Sequence, residues 1–159
     1  VEGLGPLSQP AEKVTELMRD SIQQWNSLKT KKSPVYQNRE EAVRARHFAG
    51  KLKKSSVETL VARGLGENTD GLVWRSDPRL RIKSRLYLSE SQILQMIQDI
   101  TAHVLVIEAE DTDTRRWVDL LRSRLEHVKN LDHRILPGGH HLHLDEPQSV
   151  ASAIKDFLK

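Results

Sequence analysis

The 159-residue chain contains no cysteine, which excludes disulfides, thiol catalysis, thiolate zinc sites and iron–sulfur clusters and fits a reducing compartment. Aromatic residues make up only 4% of it, so its core must be built mainly from aliphatic side chains. No apolar run approaches the roughly 20 residues that a membrane span requires. The opening Val1-Glu2-Gly3-Leu4 has no basic stretch leading into an apolar one, so neither membrane insertion nor a signal peptide is expected. A cytoplasmic location is the default expectation. The start at Val1 rather than Met leads us to expect a fragment. No repeat with a period of about 20 to 50 residues recurs, which excludes a solenoid or propeller.

What remains is 37% hydrophobic and 30% charged, one domain's worth of chain with many solvent-facing helical positions. Ser8 and Pro10 can open a helix over about 9–29, with Val14, Leu17, Met18, Ile22, Trp25 and Leu28 on one face. Asn38 followed by Glu41 caps a second helix through Phe48, and Ser55 with Glu58 caps a third that Gly64 and Gly66 end. The first 66 residues therefore read as helical and free of strand signals. Leu72 to Arg75 is briefly extended, Asp77-Pro78 turns, and an irregular connector follows.

From Ser89 the pattern changes. Ser89 and Gln92 form a capping box for a helix with Ile93, Leu94, Ile97 and Ile100 as its buried stripe. Val104-Leu105-Val106-Ile107 is the continuous apolar run of a parallel strand covered on both faces. A polar tip from Glu108 to Thr114 follows, then a helix marked by Trp117, Leu120, Leu121, Leu125 and Val128, a short strand Arg134-Ile135-Leu136, and a last helix from Pro147 to Leu158. Two such strands alone leave faces and edges bare, so further sheet is expected from another chain or a second copy.

The loop after the second strand, Pro137-Gly138-Gly139-His140-His141-Leu142-His143-Leu144-Asp145-Glu146-Pro147, carries a histidine cluster. Loops at the carboxyl ends of parallel strands are where α/β sheets keep their sites, and the two glycines permit a sharp turn. Glu108-Ala109-Glu110-Asp111 follows the neighbouring strand at the same end. A carboxylate and an imidazole thus emerge side by side, the pairing in which an acid fixes a histidine tautomer.

The strand Val104 to Ile107 leading to Asp111, the Gly139-His140 pair, and Pro147 seven residues after His140 resemble the α/β-hydrolase family, in particular its capped, serine-hydrolase-like members. Gly3-Leu4-Gly5-Pro6-Leu7 resembles the exit from that family's sixth strand into its cap, and Trp74 to Leu80 the return. The resemblance covers the second half of the fold. It implies an α/β fold with an incomplete sheet: residues 1–88 as a helical cap, and 89–159 as the last two parallel strands and helices of the core. It implies His140 as catalytic base and Asp111 as its acid, with Glu108, Glu110 and Asp113 as neighbouring alternatives. It further implies a small ester-like substrate touched by Trp25 or Met18 of the cap, and no cofactor. The family's Gly-x-Ser-x-Gly elbow occurs nowhere in the chain, so the nucleophile is absent and the chain alone is expected to be inactive. The implied partner is the missing N-terminal half, or a second copy in a homo-oligomer or domain swap. The rival expectation is a non-catalytic assembly module pairing through an exposed sheet edge.

His140, His141, His143 and Asp145 include common zinc ligand types, but residues on so short a turn seldom converge on one ion, and no metal is expected. Trp25, Trp74 and Trp117 read chiefly as packing residues. The basic run Lys29, Lys31, Lys32, Arg39, Arg44, Arg46, Lys51, Lys53 and Lys54 carries no stacking aromatics or nucleic-acid motif, and net charge is only +3. It reads as solvated surface, with neither nucleic acid nor membrane as a partner.

Overall fold

A computed structural model describes residues 2–28, 30, 33–112 and 115–159. Lys29, Lys31 and Lys32 of the basic run, and Asp113 and Thr114 of the polar tip, lie outside the described residues. The chain forms two compact units: Ala11–Tyr87, and Leu88–Lys159 together with Val1–Pro10. The sequence reading drew its line after residue 88; the two units divide between Tyr87 and Leu88, and the first ten residues, expected with the cap, cluster with Leu88–Lys159. The reason is a set of long-range polar bonds, described below, that no local pattern announces.

In the unit Ala11–Tyr87, one 3-10 turn (Ala11–Lys13) leads into α1 (Val14–Leu28). Val14, Met18, Ile22 and Trp25 recur at helical spacing, and all four retain substantial exposure. Helix α2 (Arg39–Phe48) starts where expected: Asn38 Oδ1 accepts from the Glu41 N–H, satisfying one of the helix's orphan donors. Helix α3 (Lys54–Gly64) begins before Ser55, with Lys53 at the cap position and no side-chain cap bond, so the expected Ser55–Glu58 box does not form. Ala42 of α2, Leu52 of the connector and Val57 and Val61 of α3 are buried.

An antiparallel hairpin follows, β1 (Leu65–Asn68) and β2 (Gly71–Trp74). Sequence reasoning found only its second strand. Asn68 Oδ1 closes the turn by accepting from the N–H groups of Asp70 and Gly71, an Asx-type turn. Gly71 has φ 135° and abuts Tyr36, where a Cβ would lie 2.9 Å from the Tyr36 oxygen. Tyr36 and Leu72 exchange backbone hydrogen bonds of 2.8 and 2.9 Å, which adds a third extended segment to the hairpin. The Asn-Thr-Asp-Gly run was the available signal; a glycine read as a helix stop concealed it.

In the second unit, α4 (Glu90–Gln98) carries the Ser89–Gln92 capping box in full. It leads through β3 (Val104–Ala109), α5 (Arg115–Leu125), β4 (Leu131–Leu136) and the short α6 (Leu142–Asp145) to α7 (Pro147–Phe157). Strands β3 and β4 are parallel, in register from Val104↔Leu131 to Ala109↔Leu136. The β4 strand is twice its expected length because Asp132 and His133 hide its start from a search for apolar residues. As expected, β3 is covered on both faces. Ile107 and Ala109 pack with Leu142, Val150 and Ala153, and Val106 packs with Leu121 and Leu125 on the other side. Ile93, Ile97 and Val128 form an adjoining cluster.

Arg124 binds this unit together. Its side chain is buried, and it donates from Nε and Nη2 to Glu90 Oε1 and Oε2, both at 2.7 Å, and from Nη1 to the carbonyls of Leu4 at 2.6 Å and Pro6 at 2.9 Å. One guanidinium thus joins α5, α4 and the first residues of the chain. The bond from Arg124 is the main reason the Glu90 carboxyl is lowered to about 2, with Ser8 helping and burial opposing. Gly5, at φ 78°, fits beneath it; a Cβ there would lie 3.0 Å from Ile93 Cγ2. No helix among the described residues is long and apolar enough to cross a membrane.

Candidate active site

In a parallel pair, alternate residues of one strand bond to each neighbour. The N–H groups of Val104 and Glu110 donate toward β4, to Asn130 and Leu136, so the odd-numbered residues of β3 face the opposite edge. Glu2 occupies that edge. Its N–H donates to Ile107 O at 2.8 Å, and its Oε1 accepts from the Ala109 N–H at 2.6 Å. Thr112 Oγ1 lies 2.8 and 2.9 Å from the two carboxylate oxygens, and Trp117 Nε1 donates to Glu2 O at 2.9 Å. Glu2 is 4% exposed and has φ 55°, a left-handed conformation costing a non-glycine residue about 1–2 kcal/mol. The surrounding bonds over-determine it. Local strain of this kind persists where the geometry of a side chain matters.

The loop after β4 supplies the partner. Gly138 has φ 120°, a conformation open mainly to glycine, and its carbonyl accepts from the Asp111 N–H at 3.0 Å. The Leu142 N–H donates to Gly139 O at 2.8 Å and starts α6. This turn brings His140 back over the strand ends. His140 Nδ1 lies 2.7 Å from Glu2 Oε2. An ionised carboxylate can only accept, so the contact assigns a proton to Nδ1, and in the neutral ring Nε2 keeps its lone pair. The His140 side chain is 52% exposed whereas that of Glu2 is 3% exposed: one nitrogen is anchored on a buried acid, and the ring reaches solvent.

The sequence places Asp111 beside His140 as the expected acid. Asp111 adjoins the histidine loop through its backbone, but its side chain is exposed, and it is Glu2 that meets His140. The alternatives fare no better. Glu110 is exposed. Glu108 is buried but committed elsewhere, accepting from Arg122 Nη2 at 2.6 Å and lying 2.9 Å from His133 Nε2. Asp113 is outside the described residues. Glu2 stands directly before the Gly3-Leu4-Gly5-Pro6 segment already read as a strand exit, and a carboxylate at a strand exit was the signal that could have found it. Trp117, read as packing, holds the Glu2 carbonyl.

The other sequence-predicted residues stand apart in the chain. Met18 and Trp25 lie in the unit Ala11–Tyr87, on the partly exposed face of α1, and the Arg85 guanidinium sits 5.3 Å from the Trp25 ring centroid. The His141 ring lies tilted against His140, with centroids 4.9 Å apart, and edge-on to His143 at 6.0 Å. Among the described residues no three His, Asp or Glu side chains are gathered as metal ligands.

Comparison with known proteins shows which family the chain is part of. The chain superposes on a hypothetical protein from Pseudomonas aeruginosa PAO1 with TM-score 0.87 and 32% identity, covering 99% of this chain and 57% of that one. It is 30% identical over 122 residues to serine hydrolase-like protein 2 of Homo sapiens, covering 68% of this chain and 38% of the relative. The chain belongs to the serine hydrolase-like α/β-hydrolase family. The thioesterase domain from the curacin biosynthetic pathway shares the fold, at TM-score 0.72 and 20% identity over 98% of this chain and 56% of that one. No family model matches the chain. The chain spans 31–45% of the length of the curated relatives it matches, and its two parallel strands are part of an α/β-hydrolase sheet.

Proposed function

We propose that the chain contributes the base and its orienting acid to a serine hydrolase acting on esters or related acyl compounds. His140 Nε2 takes the proton of an attacking hydroxyl and returns it to the leaving group. Glu2 holds the ring in the Nδ1–H tautomer and stabilises the imidazolium that forms between those steps. The observation that carries this reading is the 2.7 Å contact from His140 Nδ1 to the buried Glu2 carboxylate. The nucleophile comes from polypeptide outside this sequence, which has no Gly-x-Ser-x-Gly. Backbone donors for the developing oxyanion come with it, either from the remaining part of the fold or from a second copy. The partly exposed α1 face with Met18 and Trp25 is the part of the cap that touches substrate.

Hydrolysis of p-nitrophenyl esters tests the assignment. The isolated chain is expected to show no turnover above buffer. In a polypeptide carrying this segment together with a nucleophile, His140→Gln is expected to reduce kcat by about 10⁴-fold or more. Turnover by the isolated chain that depends on His140 would contradict the absence of a nucleophile. The alternative, an assembly module, draws on the shortness of the β3–β4 sheet and requires nothing of the Glu2–His140 pair.

A further inference from the structure

We infer that the connector between α2 and α3 docks on an anionic lipid surface. Residues 42–57 contain Arg44, Arg46, Lys51, Lys53 and Lys54 and no Asp or Glu. At the end of α2, within this cationic stretch, stands Phe48, 95% exposed. The ring is not needed for packing, because Ala42, Leu52, Val57 and Val61 are already buried between these helices.

Helix electrostatics explain only part of the charge. Arg46 and His47 stand in the last turn of α2, where cations answer the partial negative charge of the C-terminus. Lys53 and Lys54 stand at the cap and first position of α3, where the partial charge is positive and cations are disfavoured. The only ion pair described for Lys54, with Glu58 at 3.8 Å, runs in the weaker i,i+4 orientation, base before acid. Helix polarity alone would therefore not place cations at Lys53 and Lys54.

A single exposed ring set among cations is the arrangement by which peripheral proteins wedge an aromatic into the headgroup region of an anionic bilayer. Single-stranded nucleic acid calls instead for successive stacking platforms along a groove, and residues 42–57 contain no second aromatic beyond His47. Arg39, Arg44 and Lys54 also border a cavity of about 580 Å³ together with Glu40 and Glu58 and the apolar Val43, Val61 and Ala62, so cations outnumber carboxylates around its apolar walls. Such docking requires no spanning segment, so the scarcity of long apolar runs does not oppose it.

Vesicle flotation with the full chain tests this. Binding is expected to phosphatidylcholine vesicles containing about a third phosphatidylserine and not to pure phosphatidylcholine, and to weaken as salt is raised. Phe48→Ala should weaken it about tenfold without changing the melting temperature. Lys51→Ser and Lys53→Ser should each cost about fivefold. Phe48→Trp should retain binding, and its added fluorescence should be quenched by brominated lipid. Absence of binding to anionic vesicles, binding indifferent to Phe48, or a preference for single-stranded RNA over vesicles would overturn the inference.

Discussion

Glu2→Gln is expected to reduce kcat for ester hydrolysis by about 10³–10⁴-fold in a polypeptide carrying this segment with a nucleophile, while Asp111→Asn changes it by less than about threefold. The geometry dictates the difference. Glu2 accepts at both oxygens, from Ala109 N–H on one and in contact with His140 Nδ1 on the other. A glutamine has one acceptor and one donor end. The Ala109 N–H is buried at the edge of β3 and claims the amide oxygen, so the amide NH2 faces His140. It then donates to Nδ1, which moves the imidazole proton to Nε2, the atom that must receive the hydroxyl proton. The base is lost although the ring stays in place. Asp111 contributes its backbone to the loop, and asparagine retains that. Measuring kcat and KM for both variants checks the assignment; equal losses, or a larger loss at Asp111, would return the acid to the position first read from the sequence.

The second large effect is on stability. Arg124→Met should destabilise the protein by about 2–4 kcal/mol, because it removes a buried guanidinium and strands the Leu4 and Pro6 carbonyls while Glu90 stays partly solvated. Methionine fills most of the volume but leaves Glu90 and the carbonyls of Leu4 and Pro6 without their donor. Thermal unfolding should fall by roughly 6–15 °C. The effect depends on pH. Glu90 is lowered in the folded protein from 4.5 to about 2, so its ionised pairing stabilises fully above pH 4.5 and fades as the pH falls toward 2. Its side chain is 36% exposed and partly screened by solvent, so about 1–2 kcal/mol of the gap between wild type and Arg124→Met should close over that range. Denaturant unfolding at several pH values would show it. A gap that widens on acidification would contradict the pairing. Because Arg124 holds residues 4 and 6, the same substitution should also loosen Glu2.

Much of the fold was legible because it is written locally. The Ser89–Gln92 box, the Asn38 cap and the apolar run of β3 are satisfied by residues within a few positions of one another, and each stands where the spacing placed it. The turn that brings His140 over the strand ends is also local, carried by the adjacent glycines. What escaped depends on contacts between distant positions. Tyr36 pairs with Leu72, and Glu2 meets His140 across 138 positions; no periodicity carries such information. The search for an acid followed the loop after β3, where four carboxylates crowd together. The edge of a strand offered a better site for one, since there a carboxylate can take unpaired backbone N–H groups and be buried. The start of β4 escaped for a related reason. Asp132 pairs with Arg134 at 2.6 Å, and His133 lies 2.9 Å from the buried Glu108, so polar residues are satisfied on a strand that apolar patterning alone would shorten.

Long-range ¹H–¹⁵N NMR of the histidine side chains, at a pH where His140 is neutral, reads its tautomer directly in this chain without needing a substrate or a nucleophile. The Glu2 contact requires His140 to be held as the Nδ1–H form in the wild type and in Asp111→Asn, and to leave that form in Glu2→Gln. A His140 that shows the ordinary mixture of tautomers in the wild type, or that changes with Asp111 and not with Glu2, would contradict the pairing on which the proposed chemistry rests.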